Sequence, residues 1–298
     1  MAKARKIASS SATPSPSGPK GASPGVAKSD FSSMSAWDRY QLASHKDRPR
    51  SSDYITALFT EFEEIFGDRN FRDDPAVICG MGRFESRPVV VIAQEMGKEA
   101  RDRQRRNFGM MHPEGYRKAL RVMNLGSRFK MPVIVLIDTK GAYPGTGAEE
   151  RGQAEAIARN IRDMFKLEVP VIVTVIGAGA SGGALGVGLG DRVLMMENSW
   201  YNVISPEGCA AILWNDPTKA PEAAQALRLN AEEVLKLGVI DEIVAEPGGG
   251  AHMDSAAAFK ALREALKKNL KELDGLSLPA LIKHRGDKYR CMGVFQEI

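Results

Sequence analysis

Residues 170–190 read PVIVTVIGAGASGGALGVGLG, and residues 132–152 read PVIVLIDTKGAYPGTGAEERG. Both stretches open on the same four residues, continue as a β-branched strand, and pass through a glycine-rich loop towards a helix. An apolar run without polar alternation belongs to a strand buried on both faces. A strand–loop–helix unit that occurs twice builds a parallel layer with helices outside it, so the fold class is α/β. The two glycine loops then lie at the carboxyl ends of adjacent strands, where such sheets bind ligands.

The second loop, VIGAGASGGALG (175–186), satisfies three functional patterns. Gly177, Gly179 and Gly182 form G-x-G-x-x-G, the dinucleotide fingerprint, and Glu197 supplies an acidic residue 20 positions on. That pattern also needs a long helix, and SGGALGVGLG is a poor one, since each interior glycine costs about 1 kcal/mol relative to alanine. Gly182, Gly186 and Gly190, spaced by four, would give such a helix one face open to close packing. Gly179, Ser181 and Gly183 form G-x-S-x-G, which makes Ser181 a candidate nucleophile with His252 or His284 as the downstream base. The third reading needs only backbone. The first turn of a helix leaves N–H groups unpaired, its dipole favours an anion, and Gly182 and Gly183 place no Cβ in the way. Close helix packing explains the same glycines equally well.

The rest of the folded chain supplies the frame. DYITALFTEFEEIFG (53–67) has helical apolar spacing, with Asp53 as N-cap and Gly67 as the stop. PAVICGMGRFESRPVVVIAQE (75–95) predicts a hairpin turning at Glu85–Ser86. Residues 98–129 begin as a basic loop and become a helix after Pro113. In NAEEVLKLGVIDEIVAEP (230–247), Asn230 and Glu233 suggest a capping box, Gly238 a stop, and the remainder a short strand. Phe259, Leu262, Leu266 and Leu270 form the stripe of a final amphipathic helix, and the segment 276–298 is expected to be irregular.

Composition narrows the class. The 298 residues, 43% hydrophobic, suffice for one large domain. The net charge of +4 lies in residues 1–30, where Lys3, Arg5, Lys6, Lys20 and Lys28 face only Asp30. The remainder is balanced, which argues against nucleic acid as this chain's partner. The Ser/Pro/Gly/Ala bias of residues 1–30 predicts a disordered tail; it lacks an apolar secretory core but shares the look of a transit peptide. Cys79, Cys209 and Cys291 form no C-x-x-C pair, which predicts no metal site here and suits the cytoplasm. No apolar run has the length of a membrane span.

Four stretches closely resemble one family: RRNFGMMHPEGYRKALRVM (105–123), DTKGAYPGTGAEERGQAEAIARN (138–160), GASGGALGVGLGD (179–191) and VISPEGCAAILW (203–214). Over about Trp37 to Leu273 the chain is similar to the α subunit of bacterial-type acetyl-coenzyme A carboxylase carboxyltransferase. The resemblance implies a crotonase-like ββα spiral, a single domain over 31–275. It implies the half-reaction that carries a carboxyl group from carboxybiotin, held on a separate biotin carboxyl carrier protein, to acetyl-CoA, giving malonyl-CoA for fatty-acid synthesis. It further implies an α2β2 assembly, whose β subunit holds the acetyl-CoA oxyanion hole and the family's zinc ribbon.

On the same ground Gly182 and Gly183 supply N–H groups to the biotin carbonyl oxygen. Gly141, Ala142, Tyr143, Pro144 and Gly145, with Ser181, are expected to line the substrate cleft, although a Pro/Gly turn before a capped helix explains that loop as well. The charge of Arg105 and Arg106, in a run with Arg101 and Arg103, suits CoA phosphates or the partner, and a solvated charged loop explains it equally well. Lys140 departs from the pattern, since many relatives have proline there, and the low-complexity tail stands where they have a longer helical extension. Two other functions remain consistent with the residues. A self-sufficient acyl-CoA hydratase or isomerase would use Glu197 or Glu207, and a noncatalytic scaffold would need neither carboxylate nor oxyanion hole.

Overall fold

The computed structural model describes Phe31 and residues 33–293. The tail expected over 1–30 therefore lies outside the described residues. The expected hairpin is present: β2 (Val77–Phe84) and β3 (Arg87–Gln94) pair antiparallel from Val77↔Gln94 to Phe84↔Arg87. Glu85 and Ser86 both adopt positive φ, 47° and 66°, the turn whose twist suits a two-residue hairpin.

Next to β3 lie β4 (Val133–Thr139) and β5 (Val171–Ala180), the two PVIV strands, and then β6 (Arg192–Met196) and β8 (Glu242–Val244), each parallel to its neighbour. The short β7 (Trp200–Asn202) pairs with the end of β5. Both faces of β4 are buried, which is why its sequence shows no alternation. Val133, Val135 and Ile137 join one core with α4 (Pro113–Arg128) and α6 (Gln153–Met164), whereas Ile134 and Leu136 join the other with α2 (Ser51–Leu58) and α11 (Ser255–Asp274). The stripe Leu262, Leu266 and Leu270 lies in that second core, with Phe259 packed at its border.

Several local expectations need correction. The 53–67 helix ends at Leu58, because Phe59 is extended and β1 (Thr60–Glu64) pairs with the free edge of β2. Phe62 explains the glycines of that edge, since a Cβ on Gly80 would meet its ring at 2.5 Å. Hydrogen-bonding demand at a sheet edge overrode the helical spacing. Asp53 is not the N-cap of α2 but lies three residues inside, where it accepts the Arg50 N–H at 2.9 Å. The basic stretch is not all loop, for Ala100–Arg105 forms α3. Asn230 holds the N-cap position of α10 (Ala231–Lys236) without a side-chain cap, and Glu233 instead binds Arg228 and Lys236.

The largest correction is at the carboxyl end. The segment expected to be irregular carries α12 (Leu278–Arg290), which packs Leu281 and Tyr289 on the body with a buried charge between them. Arg285 is fully buried, pairs with Asp191 at 2.7 Å, and donates to the carbonyls of Met164, Leu167 and Val169. This helix belongs to the same packed body as the sheet.

Candidate active site

The two glycine loops meet at the carboxyl ends of β4 and β5. After β5 the chain turns at Ser181, whose φ of 54° is unusual for a residue with a Cβ, and enters the five-residue α7 (Ser181–Leu185). A Cβ on Gly183 would stand 2.0 Å from the carbonyl carbon of Gly141 and 2.4 Å from the nitrogen of Ala142. Only glycine allows that contact of two backbones. The carbonyl of Gly183 is held from behind by Gln94 Nε2 at 2.8 Å and Tyr116 Oη at 3.3 Å. Gly182 differs: a Cβ there would meet nothing within 4 Å. The N-cap residue Ala180 gives the first turn of α7 no side-chain hydrogen bond.

The opposite wall is the loop from Lys140 to Gly145. Thr139 Oγ1 accepts the Gly141 N–H at 3.1 Å, and Gly141 itself sits at φ 137°. Ala142 bridges to Met111, Tyr143 N–H donates to Met111 O, and Gln153 Nε2 donates to the carbonyls of both Met111 and Tyr143. The Tyr143 ring stacks on His112 with centroids 4.2 Å apart. Burial holds the His112 imidazole below its ordinary pKa, which favours the neutral ring. Pro144 is exposed, and Gly145 caps α5 (Thr146–Glu150). Lys140 is exposed, with its ammonium 5.1 Å from the centre of the Phe108 ring.

The structure brings Gly183 against Gly141 and Ala142, so the two glycine loops meet. The arginines are placed differently. Arg106 is directed to Asp102 and to Pro75 O, and Arg105 to Asp102, rather than to the glycine loops. The competing patterns lose their parts. Ser181 has no hydrogen bond to His252, which stacks on His45 at 3.9 Å, nor to His284, which lies on α12. The dinucleotide pattern lacks its long helix, and the spacing of Gly182, Gly186 and Gly190 does not run along one, because α7 ends at Leu185. Glu207 accepts from Tyr40 Oη at 2.8 Å, and Glu197 from the Glu246 N–H at 2.9 Å. Both hydratase candidates are thus engaged in holding the fold. Among the described residues no cluster could hold a metal ion, and no helix is long and apolar enough to cross a membrane.

Residues 22–293 match the acetyl co-enzyme A carboxylase carboxyltransferase-like family. The chain belongs to that family. It is 55% identical over 267 residues to the acetyl-coenzyme A carboxylase carboxyl transferase subunit alpha of Geobacter metallireducens, covering 90% of this chain and 84% of that protein. The corresponding subunit of Syntrophotalea carbinolica is 54% identical over 268 residues, with the same coverage of 90% and 84%. Membership makes the chain a transferase of the carboxyltransferase type. Among solved structures, the transcarboxylase 12S hexamer superposes with a TM-score of 0.64 at 16% identity. That match covers 80% of this chain but 45% of the transcarboxylase chain, so this chain spans just under half of that subunit. The likeness is one of fold, and it bears out the crotonase-like α/β domain.

Sequence reading missed Arg48, Arg50 and Asp138, all buried beneath the cleft. Arg48 pairs with Glu246 and Arg50 with Asp138, each with side-chain exposure of 1% or less. One signal was available: Asp138 is the sole charged residue in the apolar run PVIVLIDT, and a carboxylate inside a two-faced strand needs a partner.

Proposed function

We propose that this chain is the α half of an acetyl-CoA carboxyltransferase, which accepts a carboxyl group from carboxybiotin on a separate carrier protein and passes it to acetyl-CoA, giving malonyl-CoA for fatty-acid synthesis. One observation carries the reading: Gly183 is closed against Gly141 while its neighbour Gly182 is open at the start of α7. On this reading the Gly182 and Gly183 N–H groups, in the first turn of α7, face the incoming oxygen. Such a pair suits an oxygen that gains negative charge during reaction, and each good donor contributes about 3–4 kcal/mol to a transition state.

Carboxybiotin brings the transferable carboxyl group and, once it is lost, a ring nitrogen able to take the α-proton of acetyl-CoA. What this chain adds is orientation and charge stabilisation. The N–H groups of Gly182 and Gly183 bind the ureido carbonyl oxygen as it becomes anionic. Gly141, Ala142, Tyr143, Pro144 and Gly145, with Ser181, wall the ring and limit water. Arg105 and Arg106, both paired with Asp102, offer positive charge to CoA phosphates or the partner. The engagement of Glu197 and Glu207 elsewhere supports a mechanism without a protein acid–base pair here. The acetyl-CoA oxyanion hole and the zinc ribbon belong, on this reading, to a β subunit, with which the chain forms a cytoplasmic α2β2 enzyme.

The test is malonyl-CoA formation from carboxybiotin and acetyl-CoA, with this chain alone and with a zinc-ribbon β subunit. Activity in the mixture alone supports the reading. A folded, co-purifying pair that transfers nothing contradicts it.

A further inference from the structure

β5 changes neighbours along its length. Ile172–Val175 pair with β6, whereas Ala178–Ala180 pair with β7. Between them the register with β4 slips: Ile137 faces Val175, yet Thr139 faces Gly179, so two steps on β4 match four on β5. A bulge of this kind strips backbone groups of their ladder partners and re-aims the strand. Here buried side chains replace those partners. Ser199 Oγ lies 2.9 Å from Val175 O, Arg48 Nε donates to Ile176 O at 2.9 Å, and Asp138 Oδ1 accepts the Ala178 N–H at 3.0 Å. Gly177 has no room for a side chain, since a Cβ there would meet Asp138 Oδ1 at 2.4 Å.

The two charged partners are themselves gripped. Glu246 holds both terminal nitrogens of Arg48, at 3.1 and 2.5 Å, and Arg50 NH1 donates to Asp138 Oδ2 at 3.0 Å. Arg48 and Arg50 flank Pro49, so one short segment delivers both cations to one irregularity in one strand. Buried ion pairs are poor devices for stability, because desolvation cancels most of the attraction, but they fix geometry well. Gly182 lies four positions beyond Ala178 and two beyond the end of β5.

We propose that Asp138, held by Arg50 and supported by Arg48, is a positioning residue that aims the Gly182 and Gly183 N–H groups into the cleft. The inference rests on the function proposed above. Asp138→Asn isolates it, because the amide keeps an oxygen for Ala178 but turns an N–H₂ donor on the Arg50 donor. In the reconstituted enzyme, kcat per assembled complex should fall about 10²-fold, with KM for acetyl-CoA within about twofold of the parent.

Should Asp138→Asn fail to fold, the surrogate pair is Arg50→Lys and Arg50→Gln. The lysine, which keeps a cation beside Asp138, should retain far more kcat than the neutral glutamine. The inference is overturned if these variants lower only yield or melting temperature while kcat per assembled complex is unchanged. A Gly182→Val arm separates the two levels. An inactive Gly182→Val beside a fully active Asp138→Asn overturns the positioning role alone, and full activity in both overturns the anion-site reading with it.

Discussion

Gly183 and Gly141 meet backbone to backbone, with the space for a Gly183 side chain already taken by the Gly141 carbonyl carbon 2.0 Å away. This contact joins the two glycine loops into one cleft. The pair is unequal: a Cβ on Gly183 has no room, whereas one on Gly182 meets nothing within 4 Å. The two positions therefore respond differently to substitution.

Gly183→Ala must push α7 away from the Lys140–Gly145 loop. Overpacking of a closed contact costs about 1–3 kcal/mol. The expected result is a lower urea midpoint together with loss of transfer activity, read by denaturation and by the reconstituted assay.

Arg285→Met should release α12. The substitution leaves Asp191, fully buried, with no cation and three carbonyls without their donor. Removing one partner of a buried pair costs about 3–5 kcal/mol. Urea denaturation of the variant against the parent measures it, and protease cleavage after Asp274 should become faster.

Glu197 makes stability depend on pH. Burial, with the nearby Glu246 and Glu232 carboxylates, pushes its carboxyl up to about 7 against the downward pull of the Glu246 N–H. A carboxyl raised in the folded state binds its proton more tightly there than in the unfolded chain. Its stabilisation is therefore complete at low pH and is lost as pH rises from the ordinary carboxylate range through about 7. Because Glu197 is partly exposed, the loss is on the order of 1 kcal/mol. Melting temperature should fall between pH 5 and pH 8 by a few degrees less in Glu197→Gln than in the parent.

Ser86→Gly should stabilise the chain. Ser86 is exposed and sits at φ 66° beside Glu85 at 47°, a conformation that glycine adopts without steric cost. Relief of that strain is worth about 0.5–1 kcal/mol, read as a rise in melting temperature with activity unchanged.

The sequence reports most directly on what is periodic or purely local. The buried strands declare themselves through uninterrupted Val and Ile, and the Glu85–Ser86 turn through its position between two strand patterns. Both glycine loops are visible because glycine is placed where two backbones or a ligand must come close. What stays hidden depends on long-range partners. Phe62 reads as a helix residue until the edge of β2 offers hydrogen bonds, and α12 reads as irregular because its buried face centres on a charged residue, Arg285, whose partners lie far away in sequence. Arg48 and Arg50 look like solvated charge in HKDRPR, since their acceptors lie 128 and 88 residues away. Arg105 and Arg106 show their charge in the sequence but not their partner, Asp102, three and four residues upstream.

The most direct test is kcat of Gly182→Val in the enzyme reconstituted with a β subunit. A side chain at Gly182 meets nothing within 4 Å, so fold and assembly should persist. If Gly182 N–H faces a developing oxyanion, the valine blocks its approach, and kcat should fall about 10²–10³-fold in a complex of unchanged stability. Retention of parental kcat by an assembled Gly182→Val enzyme would contradict the account.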